Sequence, residues 1–202
     1  AGAVASSGFN KYTVVVASDA TFALQSGTTK LIIEVQASGG YAGNTDGSGW
    51  GGGQGGGGSY ARKLLSPMVD TDTLNITIGA VAAIAASGTT TSVGSASGTS
   101  FTTITCDGGN GGVTGSGAYG EGGVGGTLPT TGDFNVKGGN GAKGAGGAPS
   151  CGGAWMAVMN YSTTGAGTVV LSGYGGGGGV TNSASAVGGT GGTAVVIVWE
   201  YK

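Results

Sequence analysis

Carboxylates are the residues of this chain whose chemistry could support catalysis, because a pair of acidic side chains suffices for glycoside hydrolysis. Nine acidic residues make some pair unavoidable. However, Asp46, Asp107, Glu121 and Asp133 lie in glycine-rich or loop contexts with no sign of a pocket. The chain also contains no histidine, which removes the commonest general base and most zinc sites. We therefore expect no catalytic residues and no enzymatic activity.

Two glycine-rich motifs have the spacing of ligand-binding loops. Residues 47–52 satisfy G-x-G-x-x-G, but no helix follows that could hold a phosphate at its N-terminus. Residues 44–49, Asn-Thr-Asp-Gly-Ser-Gly, are similar to the start of a calcium loop. Position 12 of that loop is Gly55, where a bidentate glutamate is needed. We expect neither a cofactor nor a bound metal ion.

The charge pattern excludes other classes of partner. Charged residues make up 8% of the chain, and seven scattered Lys and Arg residues with a net charge of −2 form no basic stripe. Nucleic-acid binding is therefore not expected. No apolar run approaches the ~18 residues that a membrane span requires, so membrane insertion is not expected either.

Aromatic residues within or beside the glycine-rich tracts are the best candidates for binding. Such side chains tend to dominate the energy of binding surfaces, and aromatic faces stack well on sugar rings. The alternative interpretation is that they fill gaps between glycine segments and strands. Two loops, 127–137 and 155–164, add non-aromatic candidates. The candidate receptor-binding residues are Tyr41, Trp50, Tyr119, Pro129, Asp133, Phe134, Trp155, Tyr161 and Tyr174.

The two cysteines, Cys106 and Cys151, bracket the longest glycine tract. A disulfide closing that loop could contribute about 3–4 kcal/mol. Two small buried thiols are the other interpretation, since two cysteines alone fix neither the redox state nor the compartment.

The elements that must position these residues are short strands. Leu31–Gln36 and Leu74–Ile78 alternate apolar and polar residues, which predicts half-buried strands. An apolar segment, Ala194–Tyr201, predicts a closing strand buried on much of both faces, with Trp199 and Tyr201 in the core or at a subunit interface. No segment has a sustained helical period. Further predicted strands are Tyr12–Val16, Phe101–Cys106 and Thr168–Leu171, with Tyr60–Leu65 as a strand or a helical turn.

Fifty-one glycines, mostly in tracts 39–58, 108–153 and 165–192, form the rest of the framework. Three structureless loops of that length would be unusual in a compact chain. Polyglycine in an extended three-fold helix is the alternative, because such helices can pack at backbone distance and bond N–H to C=O between neighbours. We therefore predict an all-β domain over 1–202, sandwich-like, with packed polyglycine-II-type helices and almost no α-helix. Its strand-rich part is about 11–106, its main glycine-rich part about 107–192 and its closing strand 194–201.

The order of these segments resembles a known family. A strand, Leu31–Gln36, runs into the tract 39–58 and then the segment Ser59–Lys63; a strand ending Thr-Ile-Gly-Ala, alternating glycine runs and a closing strand, Gly191–Tyr201, follow. This resembles the glycine-rich domains of bacteriophage tail fibres and tail-tip adhesins, in which polyglycine helices stack and present variable loops. The resemblance covers the chain from about Lys11 to its end. The strand-rich opening departs from the tip-adhesin pattern, in which a separate attachment domain comes first.

The resemblance implies a function in host recognition. Loops at one end of a rigid glycine bundle would bind a bacterial surface receptor, either an outer-membrane protein or a glycan. The protein would lie in the virion, outside the cell, and associate with other tail-fibre chains in a homo-oligomer such as a trimer. The alternative is a structural virion or extracellular subunit that self-associates through its glycine tracts and terminal strand. An ice-binding protein should show regular threonine ladders, and only the short run Thr89–Thr91 is present.

Overall fold

The structure is a computed structural model and describes residues 8–45, 47, 50–80, 85–144, 174–179 and 188–202. Within these ranges the ordered framework consists of strands, and no helix occurs. This confirms the all-β prediction, and Tyr60–Leu65 is a strand. The strands are β1 Phe9–Val15, β2 Asp19–Ala23, β3 Lys30–Gln36, β4 Tyr60–Leu65, β5 Thr73–Thr77, β6 Thr91–Ser97, β7 Ile104–Cys106, β8 Phe134–Val136 and β9 Val195–Tyr201.

The strands form two antiparallel sheets that share one apolar core. One sheet has the order β1-β9-β3-β4-β8 and the other β2-β5-β6-β7. Alternation along β3 places Leu31, Ile33 and Val35 in the core, each fully buried. The second sheet contributes Leu74 and Ile76 to the same cluster. The two inner faces therefore pack as a small sandwich.

Strands β2, β6 and β8 were not predicted, because their apolar patterns are weak or short. Strand β6 reads TSVGSAS, and its only large apolar side chain is the buried Val93. Strands β2 and β8 are short, and each lies at the edge of its sheet. Edge strands are hydrogen-bonded on one side only and are often short, so they show little alternation in the sequence.

The described glycine segments form extended rods that run side by side. Rod 2, residues 51–59, lies among the others, and its successive N–H groups point to three different neighbours. The bonds repeat every three residues, as a three-fold helix requires. Gly53, Gly56 and Ser59 donate to rod 3 (107–115), Gln54 and Gly57 to rod 5 (138–144), and Gly55 and Gly58 to rod 6 (174–179), with N···O distances of 2.7–3.0 Å.

Carbonyl groups of rod 2 complete its contacts. The Gly53 and Gly56 oxygens accept N–H bonds from rod 1 (37–44), and those of Gly51, Gln54 and Gly57 accept from rod 4 (120–126). Five rods therefore surround rod 2 and accept bonds from, or donate bonds to, its backbone, and every N–H group from Gly53 to Ser59 is paired. A seventh rod, 188–194, bonds to rods 1 and 6. Hydrogen bonds between backbones here replace the side-chain core that glycine cannot supply.

Close approach explains why glycine is needed at the packed positions. A Cβ atom on Gly53 would overlap the carbonyl oxygen of Glu121 in rod 4, and one on Gly109 would overlap that of Gly56. On the outside of the bundle the same three-residue period exposes side chains. Asn110 and Val113 of rod 3 are exposed, while the glycines preceding each of them are buried.

The bundle continues the sandwich. Rods 1, 3 and 5 extend the C-terminal ends of β3, β7 and β8, and rods 2 and 7 lead into β4 and β9. Strand β8 thus comes from the part of the sequence predicted to be mainly glycine-rich, and rods 1 and 2 come from the part predicted to be strand-rich. All these rods point away from the sheets, and we call the end of the bundle farthest from the sheets the distal end.

Candidate functional site

The distal end is defined by Asn44, Trp50, the turn 115–119 and Gly144. Backbone bonds hold these segments together: Gly115 donates to the Asn44 carbonyl at 3.0 Å, and Gly144 donates to that of Gly120 at 2.8 Å. The turn passes through Gly117, whose φ of 65° suits glycine and whose Cβ position is open to solvent. The end is therefore an exposed turn on a scaffold fixed by hydrogen bonds.

An aromatic pair occupies this end. The Trp50 and Tyr119 ring centroids lie 5.0 Å apart, with an interplanar angle of 76°, in an edge-to-face contact. Trp50 is 37% exposed and Tyr119 is half-buried. The Tyr119 ring also lies 3.9 Å from the Cβ position of Gly51, so it covers the start of rod 2. Such a pair offers apolar ring faces with a polar rim, which suits contact with a sugar or a protein side chain.

Polar groups border the pair. Lys143 of rod 5 and Glu121 of rod 4 form an exposed ion pair beside the last turns of their rods. The Asn44 side-chain oxygen accepts a bond from the Gly188 backbone amide at 2.9 Å, and the Asn44 backbone N–H donates to the Thr114 hydroxyl at 3.4 Å. The candidate surface is therefore apolar at its centre and polar at its rim, the arrangement of many recognition surfaces.

The other predicted binding residues lie elsewhere. Tyr41 is half-buried midway along rod 1, and Tyr174 lies at the sheet end of rod 6, where Gly175 contacts Gln36 and bonds to Thr193. Trp155 and Tyr161 lie outside the described residues, as does the predicted strand Thr168–Leu171. Of the predicted residues that the structure describes, only Trp50 and Tyr119 come together at the distal end.

Residues of the predicted loop 127–137 lie at the edge of the five-stranded sheet. Pro129 is buried, Asp133 accepts a bond from the Leu64 amide at 2.8 Å, and Phe134 begins β8. Asp133 and Phe134 line a groove of about 270 Å³ with Ile32, Arg62 and Leu64. Three residues of this loop, Phe134–Val136, are thus part of a strand with a structural role, although Phe134 remains 45% exposed.

A second groove, of about 410 Å³, was not predicted. It lies between rods 3 and 4 and the segment 88–90, and its polar lining includes Thr90, Asp107 and Thr127. Both threonine hydroxyls bond to the Asp107 carboxylate. These residues are far apart in the sequence and lack any motif, so only the rod packing could reveal them.

Cys106 is a free thiol buried in the sandwich, and its sulfur lies 3.4 Å from the Val35 carbonyl oxygen. Burial raises the pKa of this thiol to about 12. Cys151 lies outside the described residues. The structure therefore agrees with the interpretation of Cys106 as a buried thiol and contains no disulfide at this residue.

No metal centre or membrane span is present in the part of the chain that the structure describes. No group of three or more Cys, Asp or Glu residues there is close enough to hold a metal ion. The described residues form no helix, so there is among them no helix long and apolar enough to cross a membrane. No protein-family model matches the chain, and no curated protein matches it at a significant level.

Proposed function

We propose that this chain is a non-enzymatic receptor-binding domain of a bacteriophage tail fibre or tail tip. The observation that carries the proposal is the partly exposed Trp50–Tyr119 pair at the distal end of the glycine bundle. The resemblance of the segment order to glycine-rich phage domains supports the biological setting, and the receptor would be a bacterial surface glycan or protein.

The bundle supports this function physically because it holds the binding surface in place before the receptor arrives. Rod 2 alone makes hydrogen bonds to five neighbouring rods. Little ordering entropy is then lost on binding, which favours affinity even for a small surface. Several copies on one virion would convert weak single contacts into firm attachment.

The test is binding of the purified, fluorescently labelled chain to a panel of bacterial strains. Saturable binding that disappears on receptor-deficient mutants is the expected result. Trp50→Ala and Tyr119→Ala should each weaken binding about 10- to 100-fold, the range of aromatic residues at the centre of an interface. Their thermal transitions should stay close to that of the unchanged protein, because both rings lie at the bundle's end.

A matched control is available in Tyr174→Ala. Tyr174 is 39% exposed, close to the 37% of Trp50, but lies at the sheet end of its rod. This variant should bind like the unchanged protein. Equal losses for Tyr119→Ala and Tyr174→Ala would contradict the placement of the site at the distal end.

The second candidate is a structural subunit of a virion or an extracellular assembly. The observation favouring it is the exposed apolar side of the five-stranded sheet. Strand β9 is hydrogen-bonded on both edges, to β1 and β3, so self-association through the terminal strand would have to use its outward side chains. Stable oligomers without binding to any strain of a broad panel would favour this candidate.

A further inference from the structure

The outer face of the five-stranded sheet is the side turned away from the sandwich core. Strand register places its side chains in rows across neighbouring strands. One row is entirely apolar and consists of Tyr12, Trp199, Ile32 and Leu64 on β1, β9, β3 and β4. The next row consists of Val14, Ile197, Glu34, Arg62 and Phe134.

These side chains are exposed to an unusual degree for large apolar groups. Tyr12 is 55% exposed, Leu64 50% and Val14 45%. At one edge, Phe9, Tyr12, Trp199 and Tyr201 form an aromatic cluster with centroid separations of 5.2–6.5 Å. Contiguous apolar patches of this kind on soluble proteins mark interaction sites, whereas single exposed apolar residues do not.

A partly buried hydrogen-bond system organises the centre of the face. The Glu34 carboxylate accepts a bond from the Tyr60 hydroxyl at 2.7 Å and another from the Trp199 indole N–H at 3.0 Å. These bonds fix the Trp199 ring in the middle of the apolar row. Fixed aromatic side chains lose little entropy when they are covered, which is typical of residues that dominate an interface.

Charge on the face is balanced. Glu34 and Arg62 lie directly opposite one another on β3 and β4. Lys30, opposite Tyr201 at the start of β3, and Asp133, which lines the groove beside Arg62, add one more base and one more acid, so the charges of the face balance. Two such faces would not repel each other, and their apolar and aromatic composition is that of homodimer interfaces.

We propose that the outer face binds the outer face of a second copy of this chain. The five strands lie about 4.8 Å apart and contain 30 residues in total, which at about 3.4 Å per residue give a face of about 490 Å² in projection. Pairing two faces then covers about 1,000 Å², the area expected of a specific interface. Sheets pack face to face in this way in sandwiches, with aligned strands. The inference is independent of host recognition, because the outer face and the distal end are separate surfaces.

The oligomeric state in solution tests this proposal. Sedimentation velocity and light scattering should give twice the mass of one chain at micromolar concentrations. Leu64→Lys should raise the dissociation constant of the pair at least about 100-fold, because pairing would bury an uncompensated charge from each copy. Leu128→Lys is the matched control, since Leu128 is 56% exposed but lies outside the outer face, and it should leave the mass unchanged.

Further variants keep the proposal falsifiable. If Leu64→Lys does not fold, Tyr12→Lys on the edge strand β1 gives the same test at a side chain that is 55% exposed. A mass of one chain or of three chains for the unchanged protein would overturn face-to-face pairing. Equal masses for the Leu64→Lys and Leu128→Lys proteins would also overturn it. Bacterial binding by a monomeric Leu64→Lys protein would separate this proposal from the one on host recognition.

Discussion

A methyl group added to the central rod tests whether backbone packing stabilises the bundle. Gly53 donates to the Val113 carbonyl and accepts a bond from the Gly43 amide, both at 2.8 Å. The Cβ atom of Gly53→Ala would overlap the Glu121 oxygen, so rod 4 has to move by about 1 Å or more to reach an ordinary separation. Gly51→Ala, on the same rod, is the matched control, because the atoms nearest to its Cβ lie 3.9 Å away.

The size of the effect follows from the bonds that join rods 2 and 4. Rod 4 donates to rod 2 through Gly120, Gly123 and Gly126, at N···O distances of 2.7–2.9 Å. Losing three bonds at about 1 kcal/mol each gives about 3 kcal/mol. For a chain of this length that corresponds to a fall in Tm of about 6–12 °C. Gly51→Ala should instead raise Tm by about 1–3 °C, because alanine reduces the entropy of the unfolded chain.

The assay is thermal unfolding followed by circular dichroism, with urea titrations to compare the free energies of unfolding. The expected difference between the two variants is about 3–4 kcal/mol. Equal Tm values for Gly53→Ala and Gly51→Ala would refute the view that the rods are locked together by close backbone contact.

Two further predictions concern ionisable groups in the sandwich. Burial opposes ionisation of Asp72, but hydrogen bonds from the Val69 and Thr99 amides outweigh this effect and lower the pKa of the carboxyl below the ordinary 3.8. The carboxylate therefore stabilises the fold above about pH 4, and this stabilisation is lost as the pH falls through the lowered pKa. Asp72→Asn should consequently lower the urea midpoint at pH 7 and differ less from the unchanged protein at about pH 2, and a constant difference would contradict the assignment. The pKa of Cys106 is raised to about 12, and only the thiolate form reacts with thiol reagents. At about pH 8, Cys106 of a folded Cys151→Ser protein should therefore react at least ~100 times more slowly than Cys106 of the denatured protein. Fast labelling of the folded variant would show that Cys106 is accessible.

Side-chain alternation made part of the fold predictable from the sequence. Strand β3 was predicted because Leu31, Ile33 and Val35 alternate with outward residues, and β5 was predicted in the same way. Strand β6 could not be predicted, since Ser, Gly and Ala residues surround its single large apolar side chain. The sequence predicted that the glycine tracts form packed extended helices, but not which of these rods lie next to each other. Because the rods have few side chains, hydrogen bonds between backbones determine their register, and the sequence of a glycine tract does not indicate which register forms.

For the candidate site, the sequence predicted the type of residue involved but not which residues lie together. Aromatic residues near glycine were predicted as binding residues, but Trp50 and Tyr119 are far apart in the sequence and meet only because rods 2 and 4 are neighbours. Asp133 and Phe134 instead belong to the edge of a sheet. The outer face had a visible signal in β9, where Ile197, Trp199 and Tyr201 alternate with core residues. The closing strand was predicted to be buried on much of both faces, whereas these three outward side chains are only partly buried.

The rods have a thermodynamic consequence that differs from that of an apolar core. Unfolding the bundle exposes peptide groups far more than hydrocarbon, because its packed positions are mainly glycine. Exposed apolar surface raises the heat capacity of unfolding, whereas exposed polar surface lowers it. The heat-capacity change per residue of this chain should therefore lie below the usual ~12–15 cal/mol/K. A small heat-capacity change flattens the dependence of stability on temperature, so the glycine bundle suits a protein that must keep its shape in the cold as well as in the warm.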